Sequence, residues 1–143
     1  MKDRVRRNTS AKINENIDVD LQKSIEYYKN RDAAVITQRI EKLDREWDIE
    51  RVLEVNMSTV ALSGIALGAF KNRKWLIFPA VVLCFFAQHA LQGWCPPLPL
   101  FRKLGYRTRK EIDKEKYALK LLRGDFGNNG PQKKSHQIAE AVS

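Results

Sequence analysis

Sequence signatures of catalysis are scarce in these 143 residues. There is no glycine-rich phosphate loop, Ser/His/Asp arrangement, HExxH or CxxC, so the common motif-bearing enzyme classes find no foothold. Cysteine is rare: Cys84 and Cys95 do not make a disulfide framework. If both were helical they would stand about 16 Å apart along the axis, beyond bridging distance. Histidine is as rare. His89 lies in an apolar run with only Gln88 and Gln92 as polar neighbours, and it reads as a hydrogen-bonding group rather than a ligand, although a polar group at membrane depth can mark function. No metal site and no cofactor are expected, and the chain reads as a non-enzyme. "MKDRVRRNTS" runs on into polar sequence instead of an apolar core, so no signal peptide is expected. A basic stripe interleaved with stacking aromatics is also missing, and nucleic acid is not an expected partner.

Charge itself is absent from two stretches. Positions 75–101 hold 27 residues without a Lys, Arg, Asp or Glu, and positions 55–70 hold 16. The averages hide this, because 30% charged residues and a mean hydropathy of −0.47 resemble a soluble protein. Two apolar blocks in a densely charged chain suggest a small membrane protein with soluble flanks. The alternative is a soluble helical bundle with these blocks as its core. The net charge of +9 is local: residues 1–54 balance 12 basic against 12 acidic groups, "KNRK" adds three, and residues 95–143 carry 11 against five. Basic residues beside an apolar run commonly face anionic headgroups.

Along the chain, residues 1–31 read as a polar segment, frayed to about residue 18, with a short helix in which Leu21, Ile25 and Tyr28 share a face and Asp20 is the cap. Residues 32–54 read as an amphipathic helix, with Ile36, Ile40, Leu43 and Trp47 forming its seam. No proline or glycine interrupts the passage into the first apolar run, which predicts one continuous helix from near Asp32 to near Phe70. Residues 55–94 form two apolar spans joined by "KNRK". Sixteen residues reach only about 24 Å, so Val52 and Leu53 must lengthen the first span. Trp75 and Trp94 bracket the second as interfacial anchors. Ala61, Gly64 and Gly68 offer a small face on the first span, and Ala80, Cys84 and Ala87 offer one on the second. Small faces allow close helix approach, within a hairpin or between two chains of a homodimer.

"QGWCPPLPLF" then marks the exit. Residues 95–107 read as a proline elbow, with Cys95 half-exposed, Pro96 and Pro97 extended, and Arg102 and Lys103 reaching the headgroups. Cys95 is a candidate thiol, since nearby basic residues favour thiolate. Residues 108–124 form an amphipathic helix, capped by Thr108 and Glu111 and stopped at Gly124. Its apolar residues include Ile112, Ala118, Leu119 and Leu122, and Arg109, Lys116, Lys120 and Arg123 make a basic strip. That helix either lies on the membrane surface or packs on the 32–54 helix. Residues 125–143 read as a disordered tail.

"EWDIERVLE", "GWCPPLPLFRKLGYRTRKEID" and "KYALKLLRGDF" resemble a family of bacterial inner-membrane proteins related to the YgaP-like transmembrane domain, a domain of unknown function. The resemblance spans about residues 40–126, and the Cys95-Pro96 step after the second span is its most specific element. It implies a two-helix inner-membrane module, in some relatives fused to a sulfurtransferase domain. No rhodanese-type α/β domain lies within these residues, and the prolines after Cys95 remove N–H donors from any thiolate cradle, so sulfurtransferase activity is not carried over.

The expected fold is an all-α membrane protein, a two-span transmembrane helical hairpin with amphipathic cytoplasmic helices at both ends. Positions 35–54 carry four Lys/Arg and positions 95–114 carry six, against three in the connector, which places both termini in the cytoplasm of a multi-pass inner-membrane protein. The expected role is a non-enzymatic module that presents a helical platform at the membrane. The alternatives are a persulfide-handling accessory acting through Cys95, and a charge binder using the basic C-terminal segment. The expected partners are the lipid bilayer and a second copy; nothing in the sequence names a protein partner.

Overall fold

The computed structural model describes residues 3–126, and every regular element among them is a helix. In chain order these are α1 (Arg4–Arg7), α2 (Ala11–Tyr28), α3 (Ala33–Arg45), α4 (Ile49–Phe70), a 3-10 helix (Arg73–Leu76), α5 (Ile77–Gln92), α6 (Leu98–Lys103) and α7 (Arg109–Arg123). Two helical stretches, Ala33–Phe70 and Arg73–Gln92, are long and apolar enough to cross a membrane. The tail beyond Phe126, expected to be disordered, lies outside the described residues.

The described residues divide into two units. The first holds residues 3–10 and 48–106. Its long helix α4 starts where Asp48 accepts the Arg51 N–H at 2.8 Å, satisfying one of the donors a helix start leaves open. The 3-10 helix starts similarly, with Asn72 accepting from Lys74 N at 3.0 Å. Pro79 falls in the first turn of α5, where a missing N–H costs little. Gly93 ends α5 at φ 76°, a conformation that glycine adopts without a side-chain penalty.

The second unit holds residues 11–47 and 107–126, and α7 packs against both α2 and α3. Leu21 and Ile25 of α2 meet Ala118, while Ile36, Ile40 and Leu43 of α3 meet Ile112 and Leu119. Of the two fates expected for the basic helix, packing on the 33–45 helix is the observed one. Its start carries the full capping box: Glu111 accepts from Thr108 N at 2.8 Å, and Thr108 Oγ1 accepts from Glu111 N at 3.3 Å. Gly124 ends it at φ 93°.

At the centre of this unit sits Glu115, with no exposed side-chain surface. Its Oε1 accepts from Ser24 Oγ at 2.6 Å and from Arg39 Nε and Nη2 at 2.9 and 2.8 Å. Its Oε2 accepts from Arg107 Nη1. Arg107 also grips Glu46 with two parallel bonds of 2.8 and 2.6 Å, the paired geometry a guanidinium allows. Burial alone would push the Glu115 carboxyl up, but the hydrogen bonds from Arg107, Ser24 and Arg39 outweigh it and hold the group below its ordinary value. The Arg107 guanidinium is correspondingly held in its charged form, its burial offset by Glu46 and Glu115.

Three expectations change here. The continuous helix from 32 to 70 breaks at Glu46, whose backbone is extended (φ −65°, ψ 132°) while Arg107 holds its carboxylate, and Asp48 then starts a new helix. Trp47 therefore leaves the seam and is exposed. Residues 3–18 are largely helical, in α1 and the first turns of α2, so Asp20 sits inside a helix and caps nothing.

Candidate functional site

The two most apolar helical stretches are largely uncovered. Only 28% of the apolar window in Ala33–Phe70 and 6% of that in Arg73–Gln92 are covered. Leu62, Ile65, Phe70, Ile77, Phe78 and Val81 all lie open. In water such surface costs about 25 cal/mol per Å², and a soluble fold would turn these side chains inward. Two polar side chains of α4 are satisfied locally. Thr59 Oγ1 donates to Val55 O at 2.7 Å and Ser63 Oγ to Thr59 O at 2.8 Å, so both hydroxyls are satisfied by their own helix.

The buried face of α4 reads Ile49, Leu53, Met57, Ala61, Gly64, Gly68. Successive positions lie three or four residues apart, and the side chains shrink toward the connector. There α5 and the 3-10 helix come close: a Cβ on Gly64 would stand 2.7 Å from Pro79 Cδ, and one on Gly68 2.5 Å from Leu76 Cδ2. The small residues expected on the second span do not join this contact. Ala80, Cys84 and Ala87 are exposed, and Leu76, Phe78 and Pro79 meet the glycines instead. The physical reason is complementarity: room opened by a missing side chain is filled by a large one, since two small faces together would leave a gap.

At the other end of the pair the wider space is filled from two further segments. Val5 of α1, Cys95 and Leu98 of α6 form one cluster with Ile49, Leu53 and Met57, and Val82 and Phe86 pack against it. Helix α1 also closes the end of α5. The last four carbonyls of a helix lack partners within it. Here His89 O accepts from Gly93 N at 2.7 Å, Ala90 O and Leu91 O accept from Arg4 Nη1 at 2.7 and 3.4 Å, and Gln92 O accepts from Asn8 Nδ2 at 2.8 Å. All four are met, three of them by α1 and the residue that ends it. The positive guanidinium also complements the negative end of the helix dipole. Gly93 lets α1 approach this closely, since a Cβ there would stand 2.6 Å from Arg4 Cβ and 2.9 Å from its carbonyl carbon.

This arrangement changes the expected elbow. Pro97 adopts helical angles (φ −76°, ψ −13°) and leads into α6, because the fixed proline φ suits a first helical turn. Cys95 is 0% exposed where a half-exposed thiol was expected. Burial pushes it up from the usual thiol range, partly offset by the Leu98 N–H, so thiolate is disfavoured. Arg102 is 1% exposed and donates to Tyr106 O at 3.1 Å, so it holds the turn after α6 and does not reach outward as an anchor. Lys103 is exposed, as are Trp75 and Trp94 at the two ends of the second span. His89 is half-buried on α5, and its Nδ1 has no hydrogen-bond partner. Among the described residues no group of three or more His, Cys, Asp or Glu is disposed to hold a metal ion.

Arg4, Asn8 and Gly93 are the site residues that the sequence concealed. The partners of Arg4 and Asn8 lie 84 to 87 positions away, and no periodicity connects them. No family model, curated protein or solved structure matches this chain.

Proposed function

We propose that this chain is a non-enzymatic, two-span inner-membrane module of the YgaP-like transmembrane type. In this reading α4 and α5 form a transmembrane hairpin, both termini lie in the bacterial cytoplasm, and the α2–α3–α7 unit is the platform offered there. The observation that carries it is the exposure of α4 and α5, most of whose apolar windows lie uncovered. Orientation follows from basic residues: α1 adds Arg4, Arg6 and Arg7 to the end of the pair that already holds Arg51 and Lys103, against Lys71, Arg73 and Lys74 at the connector.

The test is a single cysteine at Asn72 in a chain whose own two cysteines are replaced. Resistance to alkaline carbonate extraction, with labelling by an impermeant maleimide in intact cells, is the expected result. Extraction by carbonate would overturn the spanning reading, and labelling only after lysis would overturn the orientation.

The competing persulfide reading depends on Cys95, whose burial and raised thiol work against it. It requires Cys95 to carry persulfide in cells and to react faster than a free thiol. The proposed reading expects neither, and it assigns Gly64 and Gly68 to contact within the hairpin, not between two copies.

A further inference from the structure

We propose that the α1 rim, the surface formed by α1 together with the outer side of α6, is a binding site for anionic phospholipid headgroups. The inference rests on the transmembrane reading and names the lipid chemistry that this end of the pair selects. Three observations carry it. The first is placement: Arg4 and Asn8 bind the last carbonyls of α5, which fixes the "RVRR" turn beside Gln92 and Gly93, one residue from the interfacial Trp94. A basic segment that read as frayed is thereby held at headgroup depth.

The second is amphiphilicity. Leu98 and Arg102 of α6 turn inward, while Leu100, Lys103 and Leu104 stay exposed, as Leu91 does at the end of α5. Exposed leucines beside a lysine suit the boundary between acyl chains and headgroups. The third is charge. Arg7 and Lys103 are exposed, and Arg6 belongs to the same turn. The acidic groups of this end are Asp3 and Asp48, whose side chains accept backbone N–H groups of their own helices, and Glu50 and Glu54 of α4. Each basic group near an anionic surface contributes about a fivefold preference.

The experiment uses the full chain with Trp47 and Trp75 replaced by Phe, leaving Trp94 as the reporter, in nanodiscs of zwitterionic and anionic phospholipid. At equal mole fraction, brominated phosphatidylglycerol should quench Trp94 more strongly than brominated phosphatidylcholine. In Arg7→Gln and Lys103→Gln the preference should fall by up to about fivefold per charge, whereas Arg7→Lys and Lys103→Arg should keep it. Added salt should weaken it, and soluble glycerol phosphate should not compete, which separates a membrane headgroup from a free phosphate. Equal quenching by the two lipids, or an unchanged preference in both Gln variants, overturns the headgroup site. Carbonate extraction of the same protein reports separately on the spanning reading: a resistant chain with equal quenching loses the site alone, and an extracted chain loses both.

Discussion

The two units of this protein handle polarity in opposite ways. In the unit containing α4 and α5, many apolar side chains face outward, the Thr59 and Ser63 hydroxyls bond to their own helix, and Arg4, Asn8 and Gly93 satisfy the last carbonyls of α5. In the α2–α3–α7 unit, leucine and isoleucine face inward and a charged group, Glu115, sits at the centre among Ser24, Arg39 and Arg107. A residue's character alone does not determine its place. A buried carboxylate is tolerable where four donors converge on it, and an exposed phenylalanine is tolerable where the surroundings are apolar.

The sharpest way to break this contrast is at Glu115. Glu115→Ala leaves Arg39 and Arg107 without their shared buried partner and should destabilise the α2–α3–α7 unit by about 3–5 kcal/mol, read by chemical denaturation of the full chain in detergent. The hydrophobic pair should remain membrane-bound, so the two units respond separately. The same group sets a pH dependence. Its folded value lies below the ordinary 4.5, so its stabilisation is complete above that pH and is lost as pH falls through the folded value. Glu115→Gln should flatten this acid limb, and an unchanged limb would show that other carboxylates set it.

In the unit of α4 and α5, the largest expected effect comes from Gly64→Leu with Gly68→Leu. The added side chains would collide with Pro79 and Leu76, at an expected cost of about 1–3 kcal/mol each, while insertion persists. Cysteine crosslinking between the two spans should weaken; unchanged crosslinking would place the glycines outside the contact. Gly93→Ala should be milder, about 1–2 kcal/mol, from its positive φ and the clash with the Arg4 backbone. Its specific readout is Cys95, which α1 helps to cover and which should react faster with a maleimide once α1 is displaced. Smallest of all is Asp44→Asn. It removes the exposed pair with Lys116 and should cost no more than about 1 kcal/mol in the same denaturation measurement.

What could be read from the sequence was local. The Thr108–Glu111 box, the Gly124 stop, the Leu21–Ile25 face and the two uncharged stretches depend on residues within a few positions of each other, and each appears as expected. What could not be read depends on distant partners. Four residues of α1 show no periodicity, and their helix is held by carbonyls of α5. The break at Glu46 comes from Arg107, 61 positions on. Gly64 and Gly68 were visible as a close-approach face, but their neighbours were not, because spacing reveals room and not what fills it.

The shrinking side chains along α4 have one more consequence. The pair is narrow at the glycines and thickened at the other end by Val5, Cys95 and Leu98. Embedded in a bilayer, such a wedge would take up more lateral area in one leaflet than in the other. The lipid packing around it would then differ between the two faces of the membrane, and a flat bilayer would accommodate it at a cost that a curved one relieves.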